Sequence, residues 1–228
     1  MPPPAEDKRC YASVAQRETL LDLLRHGDVA STFFLTGGTA LSAFYLHHRQ
    51  SNDIDLFTRE SVDLGELDFN LKTSFSSRYT KIKSSQNFLS LLINNVKIDF
   101  VIDPFSFDEP RPEYEIEAHL FLRLDTVRSI ASNKLCAIVS RTEPKDFVDY
   151  YILFKTIDGL SFEKVLHDAR AKEALFDDPP TAAYQMEQTL AFLRGSEQAF
   201  PSLLEPLNRQ ELFDFYDHTI QHLYGYRV

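Results

Sequence analysis

A chain of 228 residues can form one large domain or two small ones, and either can bury a real core. Apolar residues at 43% and charged residues at 25% match ordinary globular proteins and exclude wholesale disorder. The formal net charge of -10 disfavours broad, non-specific binding to phosphate backbones, though a local basic patch stays compatible with RNA.

In chain order, residues 1–11 read as a flexible lead-in, Pro-rich and charged, with no apolar stretch like a signal peptide. Val14 to Leu24 has the spacing of a helix, which Gly27 and Asp28 end. Phe33 to Leu35 forms a short strand, Gly37-Gly38 turns the chain, and Thr39 to His48 reads as a helix. Asp53 to Phe57 is a second strand, and Leu64 to about Ser77 is helical. Strands follow near Tyr79–Lys83, Phe88–Ile93 and Val96–Ile102, the last two joined by an Asn94-Asn95 hairpin turn. A further extended piece runs from Ala118 to Arg123. Thr126 to Ser140 is helical, Pro144 interrupts, and a new helix runs to about Thr156. Three more helices are expected near 161–173, 180–194 and 208–223.

The plan is therefore α+β: a mixed sheet flanked by helices, then an all-helical region. The boundary falls near residues 105–125, dividing the chain into 1–115 and 116–228. No apolar run approaches the ~20 residues of a membrane span. Cys10 and Cys136 fit neither a disulfide framework nor metal-ligand spacing, so a reducing cytoplasm is the expected location.

Asp53-Ile54-Asp55-Leu56-Phe57 is the most informative stretch. Alternate residues of a strand share a face, so Asp53 and Asp55 point the same way while Ile54 enters the core. Paired carboxylates repel unless a cation lies between them, and magnesium suits hard oxygen ligands that leave room for phosphates. Asp99, flanked by Ile98 and Phe100, is the best third carboxylate, because a charge in apolar surroundings calls for a partner. Asp103, before Pro104, instead shapes a turn. The bland alternative is a solvated Asp-x-Asp at a strand edge.

Thr36-Gly37-Gly38-Thr39 follows a strand and opens a helix, an arrangement that lets phosphates approach bare backbone and free N–H groups. A tight strand-to-helix turn with a threonine cap is the competing explanation. Arg49, before the aspartates, can pair with phosphate or with the carboxylates, and Ser51 can cap the turn or bond a phosphate oxygen. His47 and His48 read as helix-end histidines rather than ligands.

Leu35 to Leu41 together with Arg49 to Phe57 resembles the opening motifs of the AbiEii/AbiGii toxin family, within the polymerase-beta-like nucleotidyltransferase superfamily. A second block, Asn133-Lys134-Leu135 through Arg141 and Lys145 to Tyr151, is similar to that family's helical basic motif. The resemblance covers roughly residues 33–57 and 126–153, with Asp99 as a third point.

The resemblance implies a magnesium-dependent nucleotidyltransferase, with manganese as a substitute ion, moving an NMP from an NTP to a tRNA or protein hydroxyl. It also implies the toxin half of a toxin–antitoxin or phage-defence pair, hence an antitoxin partner and no membrane. Asp53, Asp55 and Asp99 would hold metal, Thr36, Gly37, Gly38, Thr39, Arg49 and Ser51 the nucleotide, and Lys134 and Lys145 the triphosphate. Asp146 and Asp149 would orient a lysine or act as a base; a solvated face with a Lys145–Asp149 pair is the alternative. Two rival functions are transfer to a small, aminoglycoside-like molecule, which the overall acidity favours, and a non-catalytic nucleotide-binding module.

Overall fold

Alternation along the strands decides the architecture of the first half of the chain. The computed structural model describes residues 4–107, 109–195 and 200–226, in two compact units that meet in sequence between Val127 and Arg128. The first unit opens with α1 (Val14–Leu24), where the Ser13 hydroxyl accepts from the Gln16 N–H, and α2 (Gly27–Thr32). Next come β1 (Phe34–Thr36) and α3 (Gly37–Ala40), which continues as a wider π-helical turn over Leu41–Leu46. Then follow β2 (Ile54–Thr58), α4 (Leu64–Phe75), β3 (Tyr79–Ser85), β4 (Phe88–Ile93) and β5 (Val96–Ile102). A hairpin of β6 (Glu113–Glu117) and β7 (Leu120–Arg123) ends the unit.

The five longer-range strands form one sheet in the order β1-β2-β5-β4-β3. β2 and β5 run parallel, and every other pairing is antiparallel. Leu35, Leu56, Phe100 and Leu89 lie in one cross-strand row, and Ile54, Ile98 and Leu91 in the next. All seven are at most 1% exposed, so this face is the core. Burying them contributes on the order of 10–20 kcal/mol before the entropy of ordering is counted. The opposite face carries the row Thr36, Asp55, Asp99, Ser90 and Lys83. The same alternation that fills the core therefore lines up polar groups on the other side.

Asn94 and Asn95 have φ of 55° and 63°, as a two-residue hairpin turn with both central residues left-handed requires. β3 is the outer strand, and its exposed Lys81 and Lys83 flank a register shift, both of which discourage pairing with another sheet.

Three expectations need correction. Residues 5–11 are not a loose lead-in: the Ala5 and Asp7 N–H groups donate to the Phe44 and Ala43 carbonyls, and Cys10 and Tyr11 are buried. Two apolar anchors so close together fasten the segment; residues 1–3 lie outside the described residues. Gly27 and Asp28 begin α2, and Asp28 suits that helix's positive end. Glu113–Glu117 is a strand not expected from the sequence, although Glu-Tyr-Glu-Ile-Glu alternates and its Tyr114 and Ile116 form the less exposed face.

The second unit is helical: α5 (Val127–Ser140), α6 (Pro144–Thr156), α7 (Phe162–Arg170), α8 (Pro179–Arg194) and α9 (Arg209–Gly225). As expected, a new helix follows the interruption at Pro144 and runs to Thr156; Pro144 itself stands in its first turn, where a proline forfeits no hydrogen bond. Phe147, Tyr150 and Tyr216 are fully buried, and the Tyr216 hydroxyl donates to the Phe147 carbonyl at 2.8 Å. Among the described residues no helix is long and apolar enough to cross a membrane.

Candidate active site

The polar face of the sheet gathers the aspartates. Asp55 on β2 and Asp99 on β5 are direct partners in the parallel pairing, and Asp53 lies two residues before Asp55. All three are half-buried, which keeps their carboxylates reachable from solvent. Asp99 accepts from the Ser90 hydroxyl at 2.5 Å through Oδ1 and from Lys97 Nζ at 2.6 Å through Oδ2. Burial works against charge on Lys97, but its hydrogen bond to Asp99 and the negative charge of Asp99, Asp53 and Asp55 together raise its pKa. Asp103 shapes a turn, accepting from the Phe105 N–H at 3.0 Å and the Ser106 hydroxyl at 2.7 Å.

The glycine pair is explained by the neighbours it admits. Gly37 has φ +66°, and a Cβ there would fall 2.1 Å from Asp55 Oδ2. A Cβ on Gly38 would fall 2.7 Å from Arg49 Nη2 and 2.8 Å from Ser51 Oγ. The chain's own side chains thus approach the bare backbone. Arg49 and Ser51 are 3% and 7% exposed and pack behind the turn, with Arg49 Nη1 donating to the Gln50 carbonyl at 2.7 Å.

The two threonines face inward as well. The buried Thr39 hydroxyl donates to the backbone carbonyl of Asp53 and accepts from Gln16 Nε2 at 3.2 Å. Gln16 also donates to the same carbonyl at 3.3 Å, so α1 and α3 together fix where β2 begins. The Thr36 hydroxyl donates to Asp125 Oδ2 at 2.7 Å. Asp125 is fully buried, and its other oxygen lies 3.4 Å from Arg111 Nε. Gln16, Ser90, Lys97 and Asp125 were not singled out from sequence. Of these only Lys97 carried a local signal, since it shares a strand face with Asp99.

Among the described residues, one set of His, Cys, Asp or Glu side chains brings three ligand atoms within 4.8 Å: Asp7, Cys10 and His47. Asp53, Asp55 and Asp99 are not so converged. The set at Asp7 joins distant parts of the chain, which spacing along the sequence does not reveal. Burial, with the charge of Asp7, pushes the Cys10 thiol up to about 11, and Arg9 brackets Asp7 at 2.6 Å.

In the second unit, Lys134 Nζ lies 2.7 Å from Asp146 Oδ1 and 2.6 Å from Asp149 Oδ2. Both carboxylates are fully buried, and the lysine side chain is 7% exposed. Arg141 Nε reaches the other oxygen of Asp146 at 2.8 Å. Burial pushes the Asp146 carboxyl up, but Lys134 and Arg141 outweigh it and hold its pKa below the usual carboxylate range. Lys145 stands apart from this group, paired with Glu143 at 3.0 Å on the surface.

Comparison with known proteins follows the same lines. The family model described as nucleotidyl transferase AbiEii toxin, type IV TA system, matches residues 19–217. No curated protein sequence matches the chain. Among solved structures, MenT4, a nucleotidyltransferase toxin from Mycobacterium tuberculosis, superposes with a TM-score of 0.60 at 13% identity, covering 94% of this chain and 83% of MenT4. A candidate nucleotidyltransferase of H. pylori superposes with a TM-score of 0.50 at 16% identity, covering 93% of this chain and 96% of that one. These likenesses show the fold, and with the family match over most of the chain they make the protein a nucleotidyltransferase, a member of the AbiEii toxin family.

Proposed function

We propose that the protein transfers an NMP from an NTP to an acceptor hydroxyl of tRNA or protein, as the toxin of a bacterial toxin–antitoxin or phage-defence pair in the cytoplasm. The observation that carries this reading is the direct pairing of Asp55 with Asp99 on adjacent parallel strands, with Asp53 two residues upstream. The acceptor oxygen bonds the α-phosphorus as the bond to the β-phosphate oxygen breaks, pyrophosphate leaves, and Asp99 helps take the hydroxyl proton.

The chemistry of the donor set suits a hard divalent cation: Asp55 and Asp99 share one row, Asp53 lies just before it, and the Asp55 carboxylate has space because Gly37 lacks a Cβ. Magnesium, or manganese, held by Asp53, Asp55 and Asp99 would stabilise negative charge on the phosphoryl oxygens. The Thr36–Thr39 turn receives the triphosphate, with Arg49 and Ser51 keeping that turn in shape from behind. In the helical unit Lys134 ties α5 to α6 through Asp146.

Incubation with magnesium, each labelled NTP, and total tRNA or lysate tests the reading. Label transfer is expected, and is lost in Asp53→Ala. No transfer to any acceptor, with triphosphate binding that ignores magnesium, overturns it.

A further inference from the structure

We propose that Lys97 is a built-in cation that occupies Asp99 in the free enzyme and must release it before a divalent ion can use all three carboxylates. The inference rests on the metal reading of Asp53, Asp55 and Asp99 given above and adds a gate to it.

Three observations carry it. Both oxygens of Asp99 are engaged, one by the Ser90 hydroxyl at 2.5 Å and the other by the Lys97 ammonium at 2.6 Å. Asp55 and Asp99 are paired in register, yet the three aspartates do not bring one oxygen each within 4.8 Å of one another. Lys97 lies two residues before Asp99 on the same strand face, and its side chain is 42% exposed, against 14% for Asp99. A four-carbon stem with an exposed head can swing away without disturbing the sheet, whereas the aspartate is fixed to a central strand.

The charge arithmetic points the same way. Neighbouring half-buried carboxylates repel one another, and Lys97 brings a positive charge directly onto Asp99. A divalent cation competes for the same carboxylate and carries twice the charge. When it binds with a triphosphate, the displaced ammonium meets an anion of opposite sign within its own reach. Lys97 is thus a positioning residue: it acts through Asp99, and it makes full metal engagement depend on the arrival of nucleotide.

The test measures Mn2+ affinity of the full chain by calorimetry, without nucleotide, for the wild type, Lys97→Met, Lys97→Arg and Asp55→Asn. Lys97→Met should bind Mn2+ about tenfold more tightly, because it removes the competing charge while keeping the stem. Lys97→Arg should stay near the wild-type value, and ATP should tighten Mn2+ binding in the wild type more than in Lys97→Met. Unchanged or weaker Mn2+ binding in Lys97→Met, with binding still lost in Asp55→Asn, overturns the gate and leaves the metal reading intact. Mn2+ binding that ignores Asp55→Asn overturns both. Near-ultraviolet circular dichroism of each variant establishes that it is folded; should Lys97→Met fail to fold, Lys97→Gln makes the same comparison.

Discussion

Each unit of the protein sets a lysine against aspartates, and the two arrangements differ mainly in their access to water. On the sheet, Lys97 and Asp99 are 42% and 14% exposed along their side chains. In the helical unit, Lys134 is 7% exposed and its partners Asp146 and Asp149 are fully buried. The open pair costs little to break, because solvent replaces the lost partner. The sealed group cannot be opened cheaply, because removing the ammonium takes away positive charge that balances two buried carboxylates in a low dielectric. Identical chemistry thus serves exchange in one place and rigidity in the other.

The largest expected effect probes the sealed side. Lys134→Met should lower the unfolding free energy by about 3–5 kcal/mol in urea denaturation, the range found for breaking a buried ion pair. A loss below about 1 kcal/mol would erase the distinction. Acid sharpens the same point. The depressed pKa of Asp146 gives stabilisation that is complete above its unfolded value of 3.8 and is lost as pH falls through the lower folded value. Helical circular dichroism should therefore hold down to about pH 4 and decline below it, whereas in Lys134→Met the decline should begin at higher pH.

Effects on the open side are smaller in stability and larger in activity. Gly37→Ala places a Cβ 2.1 Å from Asp55 Oδ2 at a φ of +66°, and should cost about 1–3 kcal/mol together with most of the transfer activity. Gly27→Ala, with nothing within 4 Å of the added carbon, is the control and should stay within about 0.5 kcal/mol. Thr39→Val removes the donor to the Asp53 carbonyl and should cost about 1–2 kcal/mol, lowering kcat more than it raises KM. Lys97→Met should change stability by less than about 1 kcal/mol. A stability loss there as large as that of Lys134→Met would mean that exposure does not divide the two groups.

Much of the sheet was legible because its chemistry is local. The alternation of Ile54, Asp55 and Leu56, and of Ile98, Asp99 and Phe100, predicts the faces of β2 and β5. The Asn94-Asn95 turn was equally plain. What was hidden depends on distant segments. Asp125 reaches Thr36 across 89 residues, and nothing near either position announces the contact. The glycine turn was visible, but its tight spacing against Asp55, Arg49 and Ser51 was not. The Lys134 block was visible as a pattern of charges, and only burial shows that two aspartates already hold that ammonium.

Gln16 lies three residues before the stretch that matches the AbiEii family, which starts at residue 19. Its side-chain amide nevertheless grips both the Thr39 hydroxyl and the Asp53 carbonyl. A protein trimmed to the matched stretch would keep every proposed metal ligand and lose the clasp that anchors the first of them. The borders drawn by family likeness and the borders of the working enzyme are therefore different lines, and expression designs for this protein should respect the second.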